Sequence, residues 1–212
     1  MNSIASILAP AGVMPIITVH EAAHAAPLAR ALAAGGIRVA EVTLRTPAAL
    51  EAIRIMRREA PELLLGAGTV LNGRDLENAA EAGATFAISP GLSPSLIAAA
   101  KSGPIPFLLG VATASEIMLA LEAGFDHLKF FPASQLGGPE ALSAFAGPFA
   151  KVKFCPTGGI SAASAPKYLA LPNVLCVGGS WITPPAVLAR GDWSEVERLA
   201  REASAITKPA RP

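Results

Sequence analysis

FDHLKFFPAS, residues 125–134, sets one lysine in an apolar run: five of the six residues from Leu128 to Ala133 are apolar, and Lys129 is the exception. Lysine is almost never fully buried unless it is paired. A lone ammonium in a low dielectric tends to give up its proton. Lys129 therefore lies outside a buried strand, is neutralised by a partner, or serves as an uncharged amine. If the run is a strand, alternate residues share a face. Lys129 and Phe131 then point one way, Leu128 and Phe130 the other, and the rest of the chain decides which way is inward.

Outward from this stretch one pattern repeats. β-rich runs at 13–19, 38–44, 63–70, 86–89, 106–111, 127–131, 151–155 and 174–178 alternate with alanine-rich helical stretches such as ALEAIRIMRREA (49–60), GRDLENAAEAG (73–83) and TASEIMLALEAG (113–124). Thr46-Pro47 and Ser93-Pro94 put a capping residue before a proline, the signature of a helix start. Thr113 and Glu116 form a capping box. Gly35-Gly36, Gly83, Gly103 and Gly124 read as helix stops. The last helix spans roughly 185–206 with a break near Gly191-Asp192, and MNSIASILAPAG at the start reads as a short helix stopped by Pro10. Alternating strands and helices imply a parallel sheet. Eight units predict an α/β protein, a closed (β/α)8 barrel (TIM barrel) with a short extra N-terminal helix, in one domain over residues 1–212. An open doubly wound sheet is the competitor, but VMPIITVHEAAH (13–24) lacks the glycine-rich fingerprint of that fold.

Composition narrows the function classes. Charged residues make up 16% and hydrophobic ones 52% of the 212 residues, so much apolar surface needs covering and a homo-oligomer is expected. A net charge of +1 with no basic stripe argues against nucleic acid. No apolar run reaches membrane-spanning length, and the first residues lack the basic start of a signal peptide. Cys155 and Cys176 read as buried reduced thiols, which suits a cytoplasmic protein. His20, His24 and His127 are too scattered for a metal site.

The strand alternation then places the chemistry. In RVAEVTLRT (38–46), Glu41, Thr43 and Arg45 share one face and Val42 and Leu44 the other. The apolar face suits the helices, so the polar face points into the barrel, and by the same logic so does Lys129. A carboxylate, a guanidinium and an amine in the interior form either a buried ion network, with Glu41 between Arg45 and Lys129, or an active site. Such networks are costly to desolvate, barrel interiors are normally apolar, and barrel enzymes keep their chemistry at strand C-terminal ends. Lys151 and Lys153 lie at a strand start, while Lys101, Lys167 and Lys208 read as surface residues. PTGGIS (156–161) and VGGSW (177–181) follow the seventh and eighth runs, where barrels bind phosphate. Gly158, Gly159, Gly179 and Ser180 are the phosphate candidates, helped by the start of the next helix. Thr69 in GAGTVL (66–71) either binds a carboxylate or serves the next turn, and Ser89-Pro90 reads as a turn at the mouth.

EVTLRT, GAGTVL, FAISPGL, LKFFPA, FCPTGGIS and LCVGGSW together resemble the class I 2-keto-3-deoxy-6-phosphogluconate (KDPG) and 4-hydroxy-2-oxoglutarate aldolases, across nearly the whole chain. The resemblance implies a homotrimeric barrel with no metal or other cofactor. It would cleave a phosphorylated keto acid to pyruvate and glyceraldehyde 3-phosphate, as in the Entner–Doudoroff pathway. Carried over by motif, Lys129 would form a covalent imine and Glu41 would be the general acid/base. Arg45 and Thr69 would hold the pyruvyl carboxylate, and Pro90 and Phe131 would line the pyruvate pocket. Thr157, Gly158, Gly159, Gly179 and Ser180 would hold phosphate. His20 and Ser134 stand where similar proteins more often carry Lys or Arg and Glu. An aldolase of the galactonate series, a sugar-phosphate isomerase or synthase, and a non-catalytic binding barrel are the rival expectations.

Overall fold

Eight strands follow one another along the chain: β1 Val13–Ile17, β2 Val39–Thr43, β3 Leu64–Gly68, β4 Phe86–Ile88, β5 Phe107–Val111, β6 His127–Phe130, β7 Lys153–Pro156 and β8 Val177–Gly179. The computed structural model describes residues 3–207, so Lys208 lies outside the described residues. The strands form one parallel sheet in the order β7-β6-β5-β4-β3-β2-β1-β8. The two ends of that sheet meet through isolated parallel bridges, Phe154 to Val174 and Thr157 to Gly178, and close it into a barrel. The β8 side has one residue more between those bridges than the β7 side, a local bulge. The ladder residues Val177–Gly179 therefore sit later than the apolar run 174–178 suggests.

Helices α2 Ala25–Ala34, α3 Ala49–Glu59, α4 Gly73–Glu81, α5 Pro94–Ser102, α6 Ala114–Glu122, α7 Gly138–Ala146, α8 Ala165–Leu169 and the pair α9 Pro185–Ala189 and α10 Trp193–Ser204 follow the strands in turn. The Ser93 side chain accepts from the Leu96 N–H at 3.2 Å, with Pro94 in the first turn. Thr113 and Glu116 cap each other reciprocally, with N–H donors at 3.3 and 2.9 Å. The expected cap at Thr46 is not formed. α3 starts at Ala49, and the Thr46 hydroxyl instead donates to the carbonyl of Val19, after β1. That bond between the loops after two neighbouring strands wins over local capping and ties them together.

Asp192 caps α10, accepting from the Glu195 N–H at 3.2 Å and the Ser194 hydroxyl at 2.8 Å. The Ser194 bond first, then the Glu195 N–H, holds its carboxyl below the ordinary 3.8. A carboxyl lowered in the folded state stabilises fully above its unfolded value and loses that contribution as pH falls through the folded one. Thermal melts should therefore show Asp192→Asn, which can still cap, losing less stability than the wild type as pH falls below that 3.8.

Two apolar cores follow from the alternation. Ala40, Val42, Leu128 and Phe130 face the helices, in a layer with Leu28, Ile53 and Met56. Met14, Val39, Phe86, Ile88, Leu108, Cys155 and Cys176 fill the barrel interior, and Ile7 and Leu8 of α1 (Ile4–Leu8) cover it at the strand starts. Full burial of each such Leu or Ile contributes about 1.5–3 kcal/mol. Above this layer the interior turns polar.

Candidate functional site

β2 carries Glu41 and β6 carries Lys129 into the upper interior. Lys129 is 3% exposed and Glu41 fully buried. The ammonium donates to both carboxylate oxygens, at 3.2 and 3.4 Å. The lysine is thus in a buried strand and paired. Desolvation offsets much of the attraction in such a pair, so packing economy does not explain it. A carboxylate at this distance can take a proton from the ammonium and leave the amine a lone pair. The Phe131 ring centroid lies 5.4 Å from Nζ, in cation–π range. The Phe131–Pro132 peptide is cis.

Room for Glu41 comes from β3. A Cβ on Gly68 would overlap Glu41 Oε1, and one on Gly66 would overlap the Phe86 ring. Gly110 stands beside Lys129 in the β5–β6 register, and a Cβ there would strike the Pro90 backbone. Pro90 therefore packs over Gly110 at the mouth. Ser89 holds that turn: the Gly110 N–H donates to Ser89 Oγ at 3.2 Å, at the ladder position that follows the Ser89 N–H to Leu108 carbonyl bond. A side-chain oxygen thus takes over as the chain leaves the sheet. Local sequence marks Ser89 only as a turn residue; its place at a strand end before proline is the one signal of this further role.

Arg45 is not part of an interior ion network. It lies past the end of β2 and is exposed, and among the described residues Glu41 pairs with Lys129 alone. Two residues beyond a strand end, alternation no longer fixes direction. Arg45 Nε donates to Thr69 Oγ1 at 3.1 Å, so the Thr69 hydroxyl serves Arg45 and not the next turn. Thr69 has φ +61°. A β-branched residue rarely adopts that conformation, and it costs on the order of 1–3 kcal/mol.

The loops after β7 and β8 meet over the pair. Thr157, Gly158, Gly159, Gly179 and Ser180 line a cavity of ≈ 140 Å³ together with Arg45, Lys129 and Phe131. Thr69 reaches it through Arg45, Glu41 lies behind Lys129, and Pro90 stands over Gly110 outside this lining. Gly158 and Gly159 have φ of +104° and +71°, which suits glycine alone. The Thr157 hydroxyl is buried and, among the described residues, has no hydrogen-bond partner. A buried hydroxyl left so costs about 1–3 kcal/mol, and a ligand oxygen in the cavity would satisfy it. The helix starts are further away than expected: α8 begins at Ala165 and α9 at Pro185. Helix dipoles act within the first turn, so the polar groups that this cavity offers from the two loops are backbone N–H groups and the Ser180 hydroxyl. Among the described residues no three His, Cys, Asp or Glu side chains gather as a metal cluster. Cys155 and Cys176 are unoxidised thiols with Sγ atoms 3.4 Å apart.

The chain is similar to known proteins along nearly its whole length. The family model for KDPG and KHG aldolase matches residues 4–199. The KHG/KDPG aldolase of Escherichia coli (strain K12) is 54% identical over 202 residues, 95% of each chain. The KDPG aldolase of Zymomonas mobilis ZM4, solved with 3-phosphoglycerate, superposes with TM-score 0.91 at 50% identity, covering 97% of this chain and 96% of that one. The Legionella pneumophila KDPG aldolase, with pyruvate captured as a covalent carbinolamine, gives TM-score 0.91 at 45% identity over 96% and 97% of the two chains. The chain belongs to the KDPG and KHG aldolase family, lyases that break a carbon–carbon bond by aldol cleavage.

Proposed function

We propose that this chain is a class I pyruvate aldolase that cleaves KDPG to pyruvate and glyceraldehyde 3-phosphate. It also cleaves 4-hydroxy-2-oxoglutarate to pyruvate and glyoxylate. The observation that carries the reading is a buried amine–carboxylate pair under a cavity capped by two glycine loops.

Lys129 passes a proton to Glu41 and attacks the C2 ketone as a free amine; Glu41 then returns that proton to the departing hydroxyl, which leaves as water, so the iminium forms and Glu41 is again a carboxylate. The iminium draws in the electron pair of the C3–C4 bond. Glu41, as carboxylate, takes the C4 hydroxyl proton directly or through one water, and the bond breaks. The enamine is protonated at C3, and water releases pyruvate. Arg45 grips the substrate carboxylate with its two Nη groups, since Nε is held by Thr69. That grip fixes the ketone in line with the amine. Phe131 and Pro90 wall the pyruvyl end. Thr157, Gly158, Gly159, Gly179 and Ser180 hold the phosphate. No metal or other cofactor takes part.

Two predictions arise here. Assayed side by side for pyruvate release, KDPG, its galactonate-series C4 epimer and 4-hydroxy-2-oxoglutarate should rank with KDPG first. Release from none of the three would end the reading. Gly68→Ala, which forces Glu41 aside, should lower kcat/KM for KDPG by about 10²-fold, the usual cost of a displaced reacting group. Steady-state kinetics and the melting temperature together separate this from unfolding.

We also take the whole chain to act as one barrel domain in a homotrimer. Leu71, Met118, Leu119 and Leu136 are exposed large apolar side chains, the kind that a second copy covers. Sedimentation should give three times the 21.5 kDa chain mass. A cytoplasmic location fits the reduced thiols, and no helix among the described residues is long and apolar enough to cross a membrane.

A further inference from the structure

A second cavity of ≈ 260 Å³ adjoins the first at the barrel mouth, and the two share Ile16 and Ser180. It lies between the end of β1 and the loop that leads into α9. Val19, Leu28, Pro185 and Leu188 give it apolar walls, with Ala189 at its exposed rim.

Several of its polar lining groups are engaged with neighbouring groups. Thr18 Oγ1 shares a 3.0 Å hydrogen bond with Thr43 Oγ1, and Thr183 Oγ1 donates to the Ile16 carbonyl at 3.4 Å. His24 faces Glu21 at 3.8 Å and meets the Trp193 ring edge-on, with centroids 5.3 Å apart. His20 and Glu21 are exposed at the opening. Inside the opening, Ser180 aside, what is left for a ligand is mainly hydrocarbon. An apolar cavity of roughly 150 Å³ already holds a benzene ring, so this one accommodates an aryl or branched alkyl group.

We infer that this cavity receives the C4 substituent of a second substrate class: 4-hydroxy-2-oxo acids with an apolar group at C4 in place of the phosphorylated chain. The inference rests on the aldolase reading above. Ser180 divides two routes out of the pyruvyl site. A phosphorylated chain turns toward the glycine loops, and an apolar one passes between Ile16 and Ser180 into the second cavity. The chemistry is unchanged and redox-neutral. The C3–C4 bond breaks, its electron pair enters the enamine, and the C4 hydroxyl proton goes to Glu41. An apolar aldehyde leaves, C3 takes a proton, and water releases pyruvate. Ala189 and Leu188 then determine specificity.

The test uses the full-length enzyme with 4-hydroxy-2-oxo-4-phenylbutanoate and its C4-methyl analogue, reading pyruvate release. The phenyl compound should be cleaved with kcat/KM at least about tenfold above the methyl one. Ala189→Trp, which fills the cavity from its rim, should lower the phenyl rate at least about tenfold and leave KDPG cleavage within about twofold. Ala189→Leu should give an intermediate loss and serves where the tryptophan variant does not fold. A phenyl rate no better than methyl, or an Ala189 variant that leaves the phenyl rate intact or lowers it and KDPG equally, overturns the assignment. Failure of the wild type on KDPG alone overturns the phosphorylated-substrate reading instead, because the phenyl-to-methyl ratio is measured independently of it.

Discussion

Lys129→Met is expected to lower kcat/KM for KDPG by roughly 10⁴-fold or more, a large part of what an enzyme supplies over water. Methionine has similar length and suits an apolar wall, so the barrel keeps its shape. It has no nitrogen to bond with a ketone. Borohydride added with pyruvate should fix a stable adduct at Lys129 in the wild type and none in the variant. An adduct at another lysine removes Lys129 from the mechanism. The substitution strips Glu41 of its cation, and breaking a buried pair costs about 3–5 kcal/mol. A double variant, Lys129→Met with Glu41→Leu, removes both charges and separates lost stability from lost chemistry.

Glu41→Gln is the second large effect. Glutamine fits the space that Gly68 leaves, yet it cannot accept the C4 hydroxyl proton. kcat should drop by about 10²–10⁴-fold, the range for removing a general base. Pyruvate should still be trapped at Lys129, more slowly, because the amine remains. Unchanged turnover would take Glu41 out of the reaction. The contrast with Lys129→Met lies in the trapped adduct, which a merely structural role for Glu41 would not preserve alongside a collapsed rate.

Much of this site is legible in the order of the amino acids. In 38–44 and 127–131 a charged residue alternates with apolar ones, and in a barrel only one face of each strand can meet helices. That alone sends Glu41 and Lys129 inward. The glycine pairs at 158–159 and 178–179 are marked by their place after the seventh and eighth strands. Other features depend on which strand lies beside which. Gly68 matters because it stands beside Glu41 across the β2–β3 ladder, and Gly110 because Pro90 folds over it. Neither partner is a sequence neighbour. Thr46 misleads for the same reason, since its bond to Val19 joins loops 27 residues apart. Arg45 lies where strand periodicity has already lapsed. The end of β8 is displaced by the closing bulge, which belongs to the meeting of two distant segments.

The barrel wall is not equally strong all round. β2 and β3 are zipped over five residue pairs, from Val39–Leu64 to Thr43–Gly68, whereas β7 and β8 touch through two isolated bridges. In deuterated water, backbone amides along that join should exchange ahead of those in the β2–β3 ladder. Both glycine loops flank this weaker weld, each held by a continuous ladder on one side only, β7 to β6 and β8 to β1, while Glu41 and Lys129 have continuous ladders on both sides. On the proposed mechanism, grip on the phosphate therefore leans on this join more than readiness of the amine does.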